Sequence, residues 1–366
     1  MSVNVRYSEW QEWMTRELTT QRDLEKLFNW LLIATDGDVE EALRALERLN
    51  EQYGFFDEGG TAEDFRNRLQ QDGVVSEGAD GNLALTRKGE RGIRRDALDR
   101  IFHRMRAGGA GDHRTPAAGS GGENLSEIRE WRFGDAPFDI AVNPTLENAF
   151  RRTGLDDFSL EEDDVRVHER EHLSGCATVL MIDISHSMVL YGEDRITPAK
   201  EVALALLELI RTRYPKDSLH VGVFGDDATE IRADRLPYLT VGPYHTNTKA
   251  ALRLAQRILA TKKHPNKQVF LVTDGKPSAI FEEGRLYKNS WGLDTKIVNK
   301  TLDEATVCRR RGITISTFMV ASDPHLVSFV ERLTEINRGR AYYTGLDDLG
   351  RFLFVDYERN RRRRTY

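Results

Sequence analysis

The sequence predicts an α/β fold: a doubly wound, mainly parallel sheet in the C-terminal half, preceded by a mostly helical N-terminal domain. Three observations predict it. From Gly175 onward, apolar runs of strand length alternate with stretches of helical periodicity. Runs such as Val269–Thr273 are apolar at nearly every position, as expected of strands covered on both faces. Over residues 1–106, by contrast, apolar residues recur at helical spacing.

The N-terminal domain, 1–106, opens with Trp10, Trp13, Met14, Leu18, Leu24, Leu27, Phe28, Leu31 and Leu32 near helical spacing. Val39–Tyr53 repeats the pattern through Val39, Ala42, Leu43, Leu46 and Leu49. A third helix begins near Thr61, which offers an N-cap with Asp64 three residues on. Val74–Thr86 reads as two short strands around a Gly/Asp turn, and Arg87–Arg106 as a basic amphipathic helix. Helices followed by a small hairpin resemble a winged-helix module, whose arginines would touch phosphates. The plainer expectation is a solvated helix face, with Glu90, Asp96 and Asp99 interleaved.

Residues 107–123 are Gly-rich and predict a flexible linker. Residues 124–174 are expected to bridge to the next domain and pack on it, with a helix over Leu146–Phe150 after Pro144 and an extended acidic stretch over Phe158–Val167. The domain at 175–366 carries strands at Cys176–Asp183, Leu219–Phe224, Ala228–Ile231, Gln268–Thr273, Ile313–Val320 and Ala341–Tyr343. Helices are expected at Thr197–Arg213, Asn247–Thr261, Ile297–Arg311, Pro324–Asn337 and Leu346–Arg359. The run Arg361–Arg364 ends it as a basic, solvated tail.

The chain has 366 residues, enough for two domains. Its net charge of −6 argues against the whole chain being a nucleic-acid binder. No apolar run approaches the roughly 20 residues that a membrane span needs, and no signal peptide is visible. Cys176 and Cys308 form no CxxC pair and no disulfide framework. A cytoplasmic location is the expectation.

Ligands of open α/β sheets bind beyond the carboxyl ends of the strands. Asp183, Ser185 and Ser187 follow the first strand, and Asp274 with Gly275 follows the fourth. Between them, at a helix start, lie Thr246 and Thr248. Carboxylates and hydroxyls are hard oxygen donors, suited to Mg²⁺, Mn²⁺ or Ca²⁺. Two carboxylates and neutral hydroxyls are expected to leave such an ion one position short of a full shell and ready to accept an external carboxylate. Helix capping alone is the competing explanation for isolated Ser and Thr residues at such turns. His186 is expected at the rim. Asp226 and Asp227 suggest a solvated turn before a second cation site, and Lys276 and Pro277 shape the loop after Asp274.

The ordered set DxSxS (183–187), Thr246 and VTDG (272–275) resembles the metal-ion-dependent adhesion site of von Willebrand factor A (VWA) domains, over roughly residues 175–358. The resemblance implies a VWA/Rossmann-like sheet. It also implies metal coordination by Ser185, Ser187 and Thr246, with Asp183 and Asp274 acting through water or hydrogen bonds. Many VWA domains place Gly-Gly before the threonine, where Tyr244-His245 stand here, so Thr248 remains the alternative ligand. The VTDGKPS segment, residues 317–350 and the helical region ahead are similar to bacterial VWA proteins associated with MoxR-type or magnesium-chelatase-type AAA+ ATPases. That similarity implies a non-enzymatic adaptor, with Mg²⁺ as cofactor and an AAA+ ATPase or its client as partner.

Two other functions compete. Haloacid-dehalogenase-type phosphatases also begin with an Asp leaving a first strand, but need a second Asp two residues later for proton transfer, where Ser185 stands here. No GxxxxGK[ST] loop is present for ATP hydrolysis. Nucleic-acid binding through residues 1–106 is the second alternative.

Overall fold

The computed structural model describes residues 21–54, 56, 61–78, 81–107, 128–131, 140–154, 158–168, 175–192, 194–242, 244–274, 276–289, 292–320, 324–343 and 348–361. The expected helical positions Trp10–Leu18, most of the Gly-rich linker, Gly275 and the arginine tail beyond Arg361 lie outside the described residues. The chain divides into two compact units, one of Met1–Gly109 with Gly175–Arg361, the other of Ala110–Ser174 with Arg362–Tyr366.

Six strands form the main sheet: β5 (Cys176–Asp183), β6 (Ser218–Phe224), β7 (Ala228–Ile231), β8 (Asn266–Thr273), β11 (Ile313–Met319) and β12 (Arg340–Tyr343). Their order is β12-β11-β8-β5-β6-β7. All neighbours are parallel except β7, which pairs antiparallel with β6 at the edge. The chain thus starts in the middle, winds to one edge, then returns to wind to the other. The order reverses between β5 and β8, where the connections leave in opposite directions, the place at which open α/β sheets bind ligands.

Side-chain alternation sorts the core into two layers. Ala177, Val179 and Met181 of β5 pack with α7 (Thr248–Ala260), α8 (Thr295–Arg310) and α9 (Pro324–Asn337). Leu180 and Ile182 pack on the other face with α6 (Ile196–Arg213) and α10 (Leu349–Arg361). Every residue of β5 is buried, which explains its unbroken apolar run.

The N-terminal helices belong to the same unit. They are α1 (Gln21–Ala34), α2 (Val39–Tyr53), α3 (Ala62–Gln71) and α4 (Arg87–Ala107), with the hairpin β1 (Val75–Glu77) and β2 (Leu83–Leu85) before α4. Asp38 caps α2, and Thr61 with Asp64 forms the expected capping box at α3. The apolar residues of α1, α2 and α4 join one core cluster with α6 and the sheet. As a result α6 is buried nearly all round, including Lys200 and Glu201. Lys200, fully buried, donates to Asp36 at 2.7 Å, and the fixed charge of Arg100 meets Glu201 at 2.6 Å. Arg94 meets Glu208 at 3.2 Å. The expectation of a solvated arginine face on α4 is therefore corrected at Arg94 and Arg100, which point into the α4–α6 contact. Between α1 and α2, Gly37 takes a left-handed φ of 80° with the Tyr238 ring against it, so a side chain there would meet both strain and a clash.

The second unit pairs β3 (Ile128–Glu130) antiparallel with β4 (Arg166–His168) beside α5 (Val142–Thr153). Arg152 of α5 binds Asp164 at 2.7 Å and Glu161 at 2.8 Å, and its guanidinium holds the Asp164 carboxyl below its ordinary range. The helix begins at Val142, before Pro144, and the acidic stretch contains a 3₁₀ turn at Glu162–Asp164.

Beyond the expected elements, β9 (Ala279–Glu282) and β10 (Arg285–Lys288) form a hairpin after β8.

Candidate metal centre

Parallel pairing puts the ends of β5 and β8 side by side, with Ile182 opposite Val272. Asp183 and Thr273 therefore emerge as neighbours, and Asp183 Oδ2 accepts from Thr273 Oγ1 at 2.6 Å. Asp183 Oδ1 accepts from the Ser185 amide at 2.9 Å, which turns the chain out of the strand. Ile184 keeps the ladder for one more residue through its amide to Phe224 O at 2.9 Å. The chain then enters a 3₁₀ turn, His186–Gly192, closed by the Met188 amide on Ser185 O at 3.1 Å. Within it His186 is exposed and Met188 is buried, while Ser185 and Ser187 reach toward β8.

The hydroxyls form a directed chain. Ser187 Oγ donates to Asp274 Oδ1 at 2.7 Å. Its single hydrogen being used there, the 2.9 Å bond between Ser185 Oγ and Ser187 Oγ is donated by Ser185. Asp274 Oδ2 accepts from Arg195 Nη1 at 2.5 Å. Asp183 is wholly buried, and burial together with the neighbouring charge of Asp274 pushes its carboxyl up to about 7.

Thr246 comes to the same edge from the other side. Its amide donates to Ser278 Oγ at 3.0 Å, and its carbonyl accepts from the Ser278 amide at 2.9 Å. Among the described residues, no hydrogen bond is made by the Thr246 hydroxyl. Asn247 caps α7 by accepting from the Ala250 amide, and Thr248 is the first residue of that helix. Both Thr246 and Thr248 are buried.

Asp226 is not simply a solvated turn residue. It accepts from the His245 amide at 2.7 Å and contacts His245 Nδ1 at 2.9 Å, and the Asn247 side chain donates to its carbonyl at 2.8 Å. Burial raises the Asp226 carboxyl, but the two bonds from His245 outweigh it and hold it below its ordinary value, and all three bonds pin the Tyr244–Asn247 segment. The segment also requires Gly225, because a Cβ there would come within 2.5 Å of the Tyr244 side chain. Arg195, Ser278 and Asp226 thus join the residues expected from the sequence, and Thr273 of the VTDG motif gains a role.

Among the described residues no group of three or more His, Cys, Asp or Glu side chains converges. The strand-end donors are instead two carboxylates and a set of hydroxyls, all hard oxygens, of the chemistry that suits a small divalent cation. Ser187 and Asp274 Oδ1 present adjacent oxygens, and the Thr246 hydroxyl is left over. The residues present fit such an ion.

The family model for the vWA domain of Rv0959-like proteins matches residues 176–358, and that for the third domain of the same proteins matches residues 123–170. Protein Rv0959 of Mycobacterium tuberculosis and protein Mb0984 of Mycobacterium bovis are each 33% identical to this chain over 314 residues, 83% of the chain and 46% of either relative. The chain thus spans less than half the length of those relatives. Among solved structures, the PilB minor pilin of Streptococcus sanguinis aligns at a TM-score of 0.41 and 14% identity, covering 54% of this chain and 64% of that one. The vWF domain of the type V pili tip protein Mfa5 from Porphyromonas gingivalis aligns at a TM-score of 0.39 and 14% identity, covering 53% and 98%. The central sheet, with its reversal of order between β5 and β8, lies within the stretch matched by the first family model, and the β3–β4–α5 unit within the second: the chain belongs to the Rv0959-like family and carries that family's vWA domain.

Proposed function

We propose that this protein is a non-enzymatic, metal-dependent protein-binding adaptor, working through an adhesion-type site at the ends of β5 and β8. The observation that carries the reading is the run of hydrogen-bonded oxygens from Ser185 through Ser187 to Asp274, with Thr246 facing the same edge. Asp183, Ser185, Ser187, Thr246 and Asp274 would hold Mg²⁺, with Mn²⁺ or Ca²⁺ as alternatives and Thr248 as the substitute for Thr246. When bound, the ion supplies a Lewis-acid position for one carboxylate oxygen of a partner. Asp183 orients the Ser185 amide and Thr273 hydroxyl, Ser187 and Asp274 set the remaining oxygens, and exposed His186 stands at the rim.

An AAA+ ATPase of the MoxR or magnesium-chelatase type, or its client, is the proposed partner, and the cytoplasm the proposed location. No helix among the described residues is long and apolar enough to cross a membrane. The test is an affinity pull-down from native lysate with wild type and Asp183→Ala, each with Mg²⁺ and with EDTA. Co-purification of an AAA+ ATPase only with wild type and only with Mg²⁺ supports the adaptor reading. The same partners in all four samples would sink it and move attention to α1–α4. Two arginines of α4 are committed to α6, which leaves fewer for the phosphate contacts of a nucleic-acid-binding role.

A further inference from the structure

We infer that Arg195 is a built-in counter-cation of the strand-end site, one that fixes which oxygen of Asp274 faces the serines and holds down the affinity for a divalent ion until an acidic partner arrives. The inference rests on the divalent-ion reading above and extends it to a residue outside the DxSxS, threonine and VTDG motifs.

The geometry divides the Asp274 carboxylate. Oδ1 accepts from Ser187, and Oδ2 is held by the Arg195 guanidinium at 2.5 Å. The Asp274 side chain has no exposed surface and that of Arg195 is 13% exposed, so little water screens the pair. Arg195 is itself held in place. Its amide donates to Met188 O at 3.0 Å, and the next-door Asp194 caps α6 by accepting from the Thr197 amide and hydroxyl at 3.1 and 2.7 Å. The guanidinium therefore stands on a fixed helix start. Arginine keeps its charge at any pH a protein experiences.

The consequence is a matter of charge. The strand ends hold two neighbouring carboxylates, Asp183 and Asp274, and one guanidinium, which is bonded to Asp274. A divalent ion added to that set leaves one net positive charge, which an external carboxylate would offset. Without Arg195 the two carboxylates alone would neutralise the ion, so the ion would bind more tightly and call less strongly for a partner. Arg195 is a positioning residue in this scheme: it acts through Asp274 and touches no ligand.

The test is a calorimetric Mn²⁺ titration of the full chain as wild type, Arg195→Gln, Arg195→Met, Arg195→Lys and Asp183→Ala. The uncharged variants are purified with Mn²⁺ present, which stabilises a form left with an unpaired Asp274. Arg195→Gln and Arg195→Met should bind Mn²⁺ about fivefold tighter or more, while Arg195→Lys, keeping the charge, stays within about twofold of wild type. A variant that folds only with Mn²⁺ present also agrees with the inference. Affinity in the uncharged variants equal to or weaker than wild type would overturn it. If wild type and Asp183→Ala give the same Mn²⁺ response, the metal reading itself fails, a pattern distinct from the failure of the Arg195 role.

Discussion

Buried charge is handled in opposite ways along α6 and at its first tip. Along its outer face each charge has a partner of opposite sign: Lys200 with Asp36, Glu201 with Arg100, Glu208 with Arg94. At the strand ends Asp274 is paired with Arg195, and the neighbouring Asp183 has no cationic partner among the described residues. The first arrangement satisfies itself within the fold and specifies how the N-terminal helices dock. The second is left electrostatically short of one cation. Burial without compensation costs stability, and the cation proposed above is what would offset this deficit.

Three measurements break or sharpen this contrast. The largest effect belongs to the self-satisfied face. Glu201→Ala leaves Arg100 buried without its partner and should cost about 3–5 kcal/mol in denaturant unfolding. The double substitution Arg100→Met with Glu201→Leu should recover most of that loss, because both desolvated charges go together. If the double variant is as unstable as the single, the pair is not what joins α4 to α6.

The strand-end site should give an effect of at most similar size, spread over several pH units. The Asp183 carboxyl is raised in the fold, to about 7, above its unfolded value near 4. The folded state then binds the extra proton between those values, so stability falls as pH rises from about 4 to about 7, by at most about 1.4 kcal/mol per pH unit, and levels off above. Thermal unfolding in EDTA across that window checks the slope, which Asp183→Asn should remove. Because metal binding needs the ionised carboxylate, the Tm rise given by Mg²⁺ should be larger at pH 8 than at pH 6. The smallest effect is the exposed control. Arg151 and Glu147 pair at 2.7 Å on α5 with both side chains mostly in solvent, and Glu147→Gln should cost less than about 0.5 kcal/mol by the same unfolding assay.

Much of the domain was legible from residue order because its physics is local. Buried parallel strands show as apolar runs, and β5 and β7 were predicted at their observed bounds. The carboxylates and hydroxyls at the strand ends could be grouped because chain order places them beyond neighbouring strands. The hairpin β9–β10 was missed although its signal was present. Glu283 and Gly284 form a two-residue turn with φ of 49° and 79°, the primed geometry that suits hairpins, but only the glycine hints at it in sequence. Arg195 and Ser278 were not legible as site residues, Thr273 stood in the VTDG motif without a role of its own, and Asp226 was read as a solvated turn. Each acts on a residue from 19 to 90 positions away, and nothing in their local pattern distinguishes them from ordinary loop or strand-end residues. The arginines of α4 misled for a related reason: their spacing is that of a solvated face, and only tertiary packing shows that Arg94 and Arg100 turn inward.

The 18 residues of α6 form a rod about 27 Å long. Its first end is anchored at Arg195, beside Asp274, and its flank is held by the α1–α2 turn and by α4 through the ion pairs above, while the stacked rings of Phe102 and Phe354, 5.7 Å apart, join α4 to α10. The same helix that seals the core therefore carries both the docking contacts of the N-terminal helices and, at its tip, the guanidinium that holds Asp274.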